Sequence, residues 1–320
     1  MLTLLSSGPL SLIQDLGRQG HQHIGVSPGG PMDEHAFLWA NRLVGNQPNA
    51  PQIEITMGQF RACFTKPTTF ALTGADMGAR LNDKPLTPWQ SYHANTNDVL
   101  VLRGARFGTR AYLAVAGGFT VPTILNSATT VVRDQLGGLD RHGAALQNGD
   151  EIDYPTCDAR SLHQVPPEFI PHYSQDVVID MIGSYQYEWF APEQRARFFQ
   201  SDYTVTTNCD RMGYRLSGDA ITCRQQNLIS EGIALGAIQI PADGQPIVLM
   251  RDRQTIGGYP KMGCVTTKDL SKLAQCQPGT RVRFVETTLE KATQQRRLQQ
   301  QFFHHYVAKH RAAEWLTQAL

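Results

Sequence analysis

The sequence predicts a mainly β protein of two domains with few helices. Short apolar runs recur along most of the chain, and Gly, Pro, Asn or Asp closes them at intervals of about 8–12 residues, the punctuation of strands and tight turns. Helical periodicity is confined to a few segments. A Pro-rich stretch with neither period, residues 160–173, divides two strand-rich halves and reads as a linker. The 320 residues, 41% of them hydrophobic, suffice for two ordinary domains with their own cores.

In chain order, the first helix starts after Asp33, a good N-cap, and runs through about Val44. Phe37, Ala40, Leu43 and Val44 share one face, and Gly45 suits a left-handed stop. Strands follow at 60–64, 69–74, 98–104, 110–118 and 150–154. Beyond the linker come a strand at 176–183, a helix at 191–199, and strands at 237–241, 246–250 and 280–286. Turn pairs launch three of these strands: Asn97-Asp98, Gly149-Asp150 and Gly279-Thr280. Their recurrence hints at one β building block used more than once. From Thr287 the tail reads as a helix, with Thr287 and Glu290 as a capping box and Phe302, Phe303, Tyr306 and Leu316 on a broad apolar side. The domains are therefore expected at 1–165 and 174–286, with 287–320 as a terminal helix.

Lys and Arg number 29 against 28 Asp and Glu, so charge offers no reason to expect nucleic acid or an anionic membrane as partner. No apolar run approaches the ~20 residues that span a bilayer. The N-terminus lacks a basic segment ahead of its broken apolar stretch, so no export signal is read. Six cysteines without a C-x-x-C pair then fit reduced thiols in a cytoplasmic protein.

Four polar stretches stand out. "IVLMRDRQTIGGYPKMG" (247–263) ends an apolar strand in three consecutive charges, then Gln254, Gly257, Gly258, Tyr259 and Lys261. Glycines permit close backbone approach, and this set offers both donors and acceptors. "NCDRMGYRL" packs Asn208, Asp210, Arg211 and Tyr214 around Gly213; taken in isolation, a β-turn with solvated charges is the favoured reading. "ISEGIALGAIQIP" places Glu231 among apolar neighbours, a setting that raises a carboxyl pKa by desolvation. Asp15, Arg18 and a glycine-rich approach precede the first helix, whose N-terminus suits an anion. There is no phosphate loop, no strand-bound G-x-G-x-x-G and no nucleophile elbow. His21 and His23 would share a strand face but lack a third ligand at diagnostic spacing, so no metal site is expected.

These stretches, with "QDLGRQGHQHIGV", "ANRLVGN" and "LAQCQPGTRVRF", resemble the biotin-dependent carboxyltransferase, or allophanate hydrolase subunit 2, family over about residues 5–285. Common bacterial members serve as the C subunit of an ATP-dependent 5-oxoprolinase. Ile256 stands where the family usually has Thr, and "SPGGPMD" where "SGAMD" is usual; neither departure removes a charged group. The resemblance implies two cyclophilin-like β-barrels and a cytoplasmic complex with subunits B and A. It also implies opening of the 5-oxoproline lactam to L-glutamate, with ATP held by this chain or by a partner subunit.

On that view Lys261 or Arg211 holds the substrate carboxylate or a developing oxyanion, and Asp252 or Glu231 accepts a proton. Asn208 and Gln254 pair with the amide edge, Tyr214 and Tyr259 line the substrate, and Gly257 and Gly258 let the main chain reach it. Two other readings stay open. One is carboxyl transfer to a urea-like amide, with biotin arriving on another protein because the chain has no A-M-K-M segment. The other is a non-catalytic regulatory binding protein.

Overall fold

Residues 2–154 form two antiparallel sheets with a shared core. The six-stranded sheet has the order Glu151–Ile152, Leu2–Ser7, Gly58–Phe64, Val99–Gly104, Arg80–Leu81, Lys84–Pro85. The five-stranded sheet has the order Leu10–Gln14, Gln52–Thr56, Phe107–Val115, Thr68–Asp76, Gln90–Ala94. Leu2, Phe60 and Leu100 of the first sheet meet Ile13, Phe70 and Leu113 of the second in one buried cluster. Phe107–Val115 and Thr68–Asp76 are buried along almost their whole length, because a helix covers the outer face of their sheet. That helix, α1 (Glu34–Leu43), begins where the Asp33 carboxylate accepts the Ala36 N–H at 3.0 Å, and Gly45 follows it at φ 62°. Its Phe37 and Trp39 pack with Ala71 and Tyr112.

The second half is a closed barrel in the order Asp176–Gly183, Lys261–Val265, Ala237–Gln239, Ile247–Leu249, Gly213–Ser217, Tyr203–Cys209, Arg281–Glu286. Closure is made by the parallel pairing of Asp176–Gly183 with Arg281–Glu286; the other pairs are antiparallel. Ile179, Val205, Leu216, Ile238, Val248 and Met262 fill the interior. Period-two alternation therefore puts Gln239 and Lys261 on the outer face. Helix α2 (Pro192–Gln200) stacks Phe198 on Phe284 at 4.8 Å.

The structure is a computed structural model that describes all residues but 158–159, 174–175, 226–227 and 319–320, and the side chains only as far as Phe303 in the terminal helix. The mainly β expectation holds, and the three turns at Asn97, Gly149 and Gly279 all have left-handed φ. Two of them launch strands of the six-stranded sheet and the third a barrel strand. Several details differ. Strands at 2–7, 10–14 and 52–56 and helix α3 (Thr267–Leu273) were not expected; the helix is short and opens on β-branched threonines. His21 and His23 flank a 3-10 turn, Gln22–Ile24, and do not share a strand face. Helix α4 (Leu289–Gln318) is capped by Thr288, which accepts the Lys291 N–H at 3.2 Å, one residue after the expected Thr287. Phe302 and Phe303 pack on Trp39, while the side chains of Tyr306, Leu316, His304, His305 and His310 lie outside the described residues. The Pro-rich segment is packed: Val165 is buried and bonded to Trp89, and the Phe169 carbonyl meets His35. Among the described residues no helix is long and apolar enough to cross a membrane.

Candidate functional site

Lys261 and Gln239 are register partners on neighbouring barrel strands, both facing outward and both buried. A small two-stranded flap, Glu231–Gly232 paired with Ile256–Gly257, buries them. Lys261 Nζ donates to Glu231 Oε1 at 2.5 Å and, more weakly, to the Tyr259 carbonyl at 3.4 Å. Gln186, 1% exposed, braces the pair: its Nε2 donates to Glu231 Oε1 at 2.6 Å, and its Oε1 accepts the Lys261 N–H at 2.7 Å. The Tyr185 hydroxyl also lies near Glu231 and favours its ionised form. Burial pushes the Glu231 carboxyl up, as expected from its neighbours, but Lys261, Tyr185 and Gln186 together outweigh it and hold the group below its ordinary value. Glu231 is therefore ionised at neutral pH, with 32% of its side chain exposed over a lysine that is 5% exposed. Such a pair offers a carboxylate that can accept a proton and an ammonium positioned for negative charge. Lys261 opens the strand Lys261–Val265.

Arg211, Tyr214 and Asp252 belong to another arrangement. Arg211 is bidentate to Asp252, both contacts at 2.8 Å. It also reaches across to the first half, donating to Glu54 at 2.6 Å and to the Gly30 carbonyl at 2.8 Å. Glu54 accepts further from the Met32 N–H and the Tyr112 hydroxyl. Tyr214 is buried, its hydroxyl taking a bond from Arg110 at 2.7 Å and giving one to the Ala274 carbonyl. All of these side chains are buried, and Arg211–Glu54, Arg211–Gly30 and Arg110–Tyr214 cross between the halves. Burial pushes the Asp252 carboxyl up, and Arg211 offsets this only in part. The neighbouring charges are engaged as well: Arg251 pairs with Glu34 at 2.8 Å, and Arg253 donates to the Ile233 and Met250 carbonyls. At the start of α1, Glu34 and Asp33 already supply the negative charge that an external anion would bring. Asp15 is likewise buried, accepting from Ser127, Ala128 and Thr129.

The eleven-residue stretch from Arg251 to Lys261 is thus divided, and the single rim expected from the sequence becomes two clusters. Asn208 is exposed, and its turn is held by Asp210, which accepts the Met212 and Gly213 N–H groups. Gly258 is required by the backbone packed against it, and Gly257 is hemmed in by side-chain ends. A Cβ on Gly257 would lie 2.6 Å from Ile233, and one on Gly258 2.7 Å from the Leu228 carbonyl. Gln254 is half-buried, its amide turned toward Gly257, and Tyr259 is half-exposed beside Lys261. Gln186, Tyr185 and Gln239 were missed; the polar run Ser184–Gln186 at a strand end carried the same signal as the four chosen stretches. A separate cleft of about 590 Å³ lies between α1, α3 and residues 168–173 and 176–178, and none of the sequence-predicted site residues lines it.

Residues 24–286 match the family model described as carboxyltransferase domain, subdomain A and B, and the chain belongs to that family. It is 36% identical to the 5-oxoprolinase C subunit of Haemophilus influenzae, over 93% of this chain and 94% of that protein. It is also 36% identical to the 5-oxoprolinase C subunit of Escherichia coli, over 95% of this chain and 96% of that protein. The structure of Kluyveromyces lactis urea carboxylase superposes with a TM-score of 0.89 at 27% identity, covering 95% of this chain but 29% of that one. The chain thus spans less than a third of that larger enzyme.

Proposed function

We propose that this chain is the C subunit of an ATP-dependent 5-oxoprolinase, with its share of the chemistry centred on Glu231 and Lys261. The observation that carries the reading is the ionised, solvent-facing carboxylate of Glu231 paired with a buried ammonium beneath a small flap. Support also comes from the near end-to-end match to proteins of that name. Opening 5-oxoproline to L-glutamate breaks the ring C–N bond, places the oxygen of water on the carbonyl carbon and delivers a proton to the departing nitrogen. Glu231 takes the proton of the attacking water. Lys261 holds the substrate carboxylate or the oxygen on which negative charge grows. ATP, bound here or on a partner subunit, activates the lactam oxygen and ends as ADP and phosphate. The partners are subunits A and B, in the cytoplasm.

A second reading, carboxyl transfer from biotin on another protein to a urea-like amide, is favoured by the likeness to urea carboxylase. Reconstitution separates the two. With all three subunits, 5-oxoproline-dependent ATP hydrolysis should appear, and Lys261→Met should lower it by about 100-fold while the chain stays folded and partner-bound. Full turnover by the isolated chain would overturn the complex, and undiminished turnover by Lys261→Met would remove the pair from the chemistry. Biotin-dependent carboxylation of urea without lactam hydrolysis would establish the second reading instead.

A further inference from the structure

Beside Lys261, Gln239 is 1% exposed, and its Nε2 has no hydrogen-bond partner. A buried amide donor is ordinarily satisfied, and leaving one unmade is costly. Its surroundings are specific. Gln239 is the register partner of Lys261, so the two side chains leave neighbouring strands on the same outer face. Its nitrogen and that of Gln254 both close on the bare Cα of Gly257, where a Cβ would lie 3.0 Å and 3.6 Å from them. The cover over this point is a two-residue ladder, Glu231 with Gly257 and Gly232 with Ile256, extended by the Ile233 N–H to the Thr255 carbonyl; its Glu231 side is anchored by Lys261 and Gln186, and Ile256 on the other strand is 59% exposed. In contrast, the third amide of the group, Gln186, is engaged at both ends.

We infer that Gln239 Nε2 is a donor held for the substrate, receiving the carbonyl oxygen of a small planar amide that lifts the flap at Gly257. The inference rests on the Glu231–Lys261 site and adds its specificity element. Lys261 selects for negative charge and Gln239 for the amide carbonyl, so the ligand class is a compact carboxylated amide or lactam. Gln254, on the flap side of Gly257, is the second amide placed to follow the ligand.

The test uses the assembled complex with Gln239→Met, which keeps the side-chain length and removes the amide. L-Proline, the ring without its carbonyl, serves as competitive inhibitor. Removing an unpaired donor should leave the melting temperature unchanged or raised. The KM for 5-oxoproline should rise by about tenfold or more, while the inhibition constant of proline stays at its wild-type value. Gln239→Leu gives the same readouts should Met pack poorly. Unchanged KM in a folded variant would overturn the inference, as would a drop in melting temperature for both variants, which would show the amide to be structurally engaged. Lys261→Met in the same assay separates the levels. If it abolishes turnover while Gln239→Met does nothing, the site stands and the role of Gln239 falls. If Lys261→Met also does nothing, the site itself falls.

Discussion

The two charged clusters of this chain differ in how far the protein satisfies them. Around Glu54 and Arg211, every nitrogen of the Arg211 guanidinium and both carboxylates it faces have protein partners, and all are buried. At the flap, Glu231 shares its carboxylate with solvent and Gln239 keeps an unpaired donor. At the centre of the first cluster the guanidinium and both carboxylates are satisfied, with only Arg110 Nε at its edge lacking a hydrogen bond, whereas the second leaves a carboxylate open to solvent. Arg211, Asp252, Glu231 and Lys261 look alike as letters in one family of motifs, yet the fold divides them into a buried pair bonded across to Glu54 of the first half and a pair partly open to solvent.

The largest expected effect breaks the saturated side. Arg211→Met removes the cation between two buried carboxylates, and denaturant unfolding should show a loss of about 3–5 kcal/mol. A loss under about 1 kcal/mol would mean that the network is not what joins the halves.

A smaller effect follows from acid. Burial pushes Glu54 and Glu34 up, but Arg211 and Arg110 outweigh it at Glu54, and Arg251 and Arg296 at Glu34, so both sit below their ordinary values. A depressed folded-state pKa contributes stability that is present above the unfolded value and lost as pH falls through the folded one. Stability should therefore fall below about pH 4, and Glu34→Gln should make that fall shallower. An unchanged acid slope would contradict the pairing. Smallest of all is Asn208→Ala. On an exposed turn outside both clusters it should change stability by less than about 0.5 kcal/mol and leave turnover alone.

Much of the fold was legible. Asp33 and Gly45 bounded α1 because a cap and a left-handed stop are local chemistry, and four of the seven barrel strands announced themselves by alternation and turns, while 203–209, 213–217 and 261–265 did not. What escaped was long-range. The partner of Asp252 is 41 positions away in sequence and that of Glu54 is 157, and no spacing rule reaches so far. The N-terminal strands were hidden by their serines and glycine, and α3 by its length. At the site, Glu231 and Lys261 were chosen for their chemistry and lie within hydrogen-bonding distance. Arg211, Asp252 and Tyr214 were chosen on the same grounds and lie buried in the network with Glu54 and Arg110 instead. Gln239 could not be read in advance, because an unpaired amide is a property of the surroundings and not of the residue.

The central claim is that the flap pair, and not the inter-half network, does the chemistry. It is tested most directly by comparing kcat for Glu231→Gln and Asp252→Asn in the assembled complex, at a temperature where both are folded. Glu231→Gln should lower kcat by about 100-fold or more with little change in melting temperature. Asp252→Asn should melt earlier yet keep kcat within about threefold of wild type. Loss of turnover in folded Asp252→Asn, with Glu231→Gln near normal, would contradict the claim.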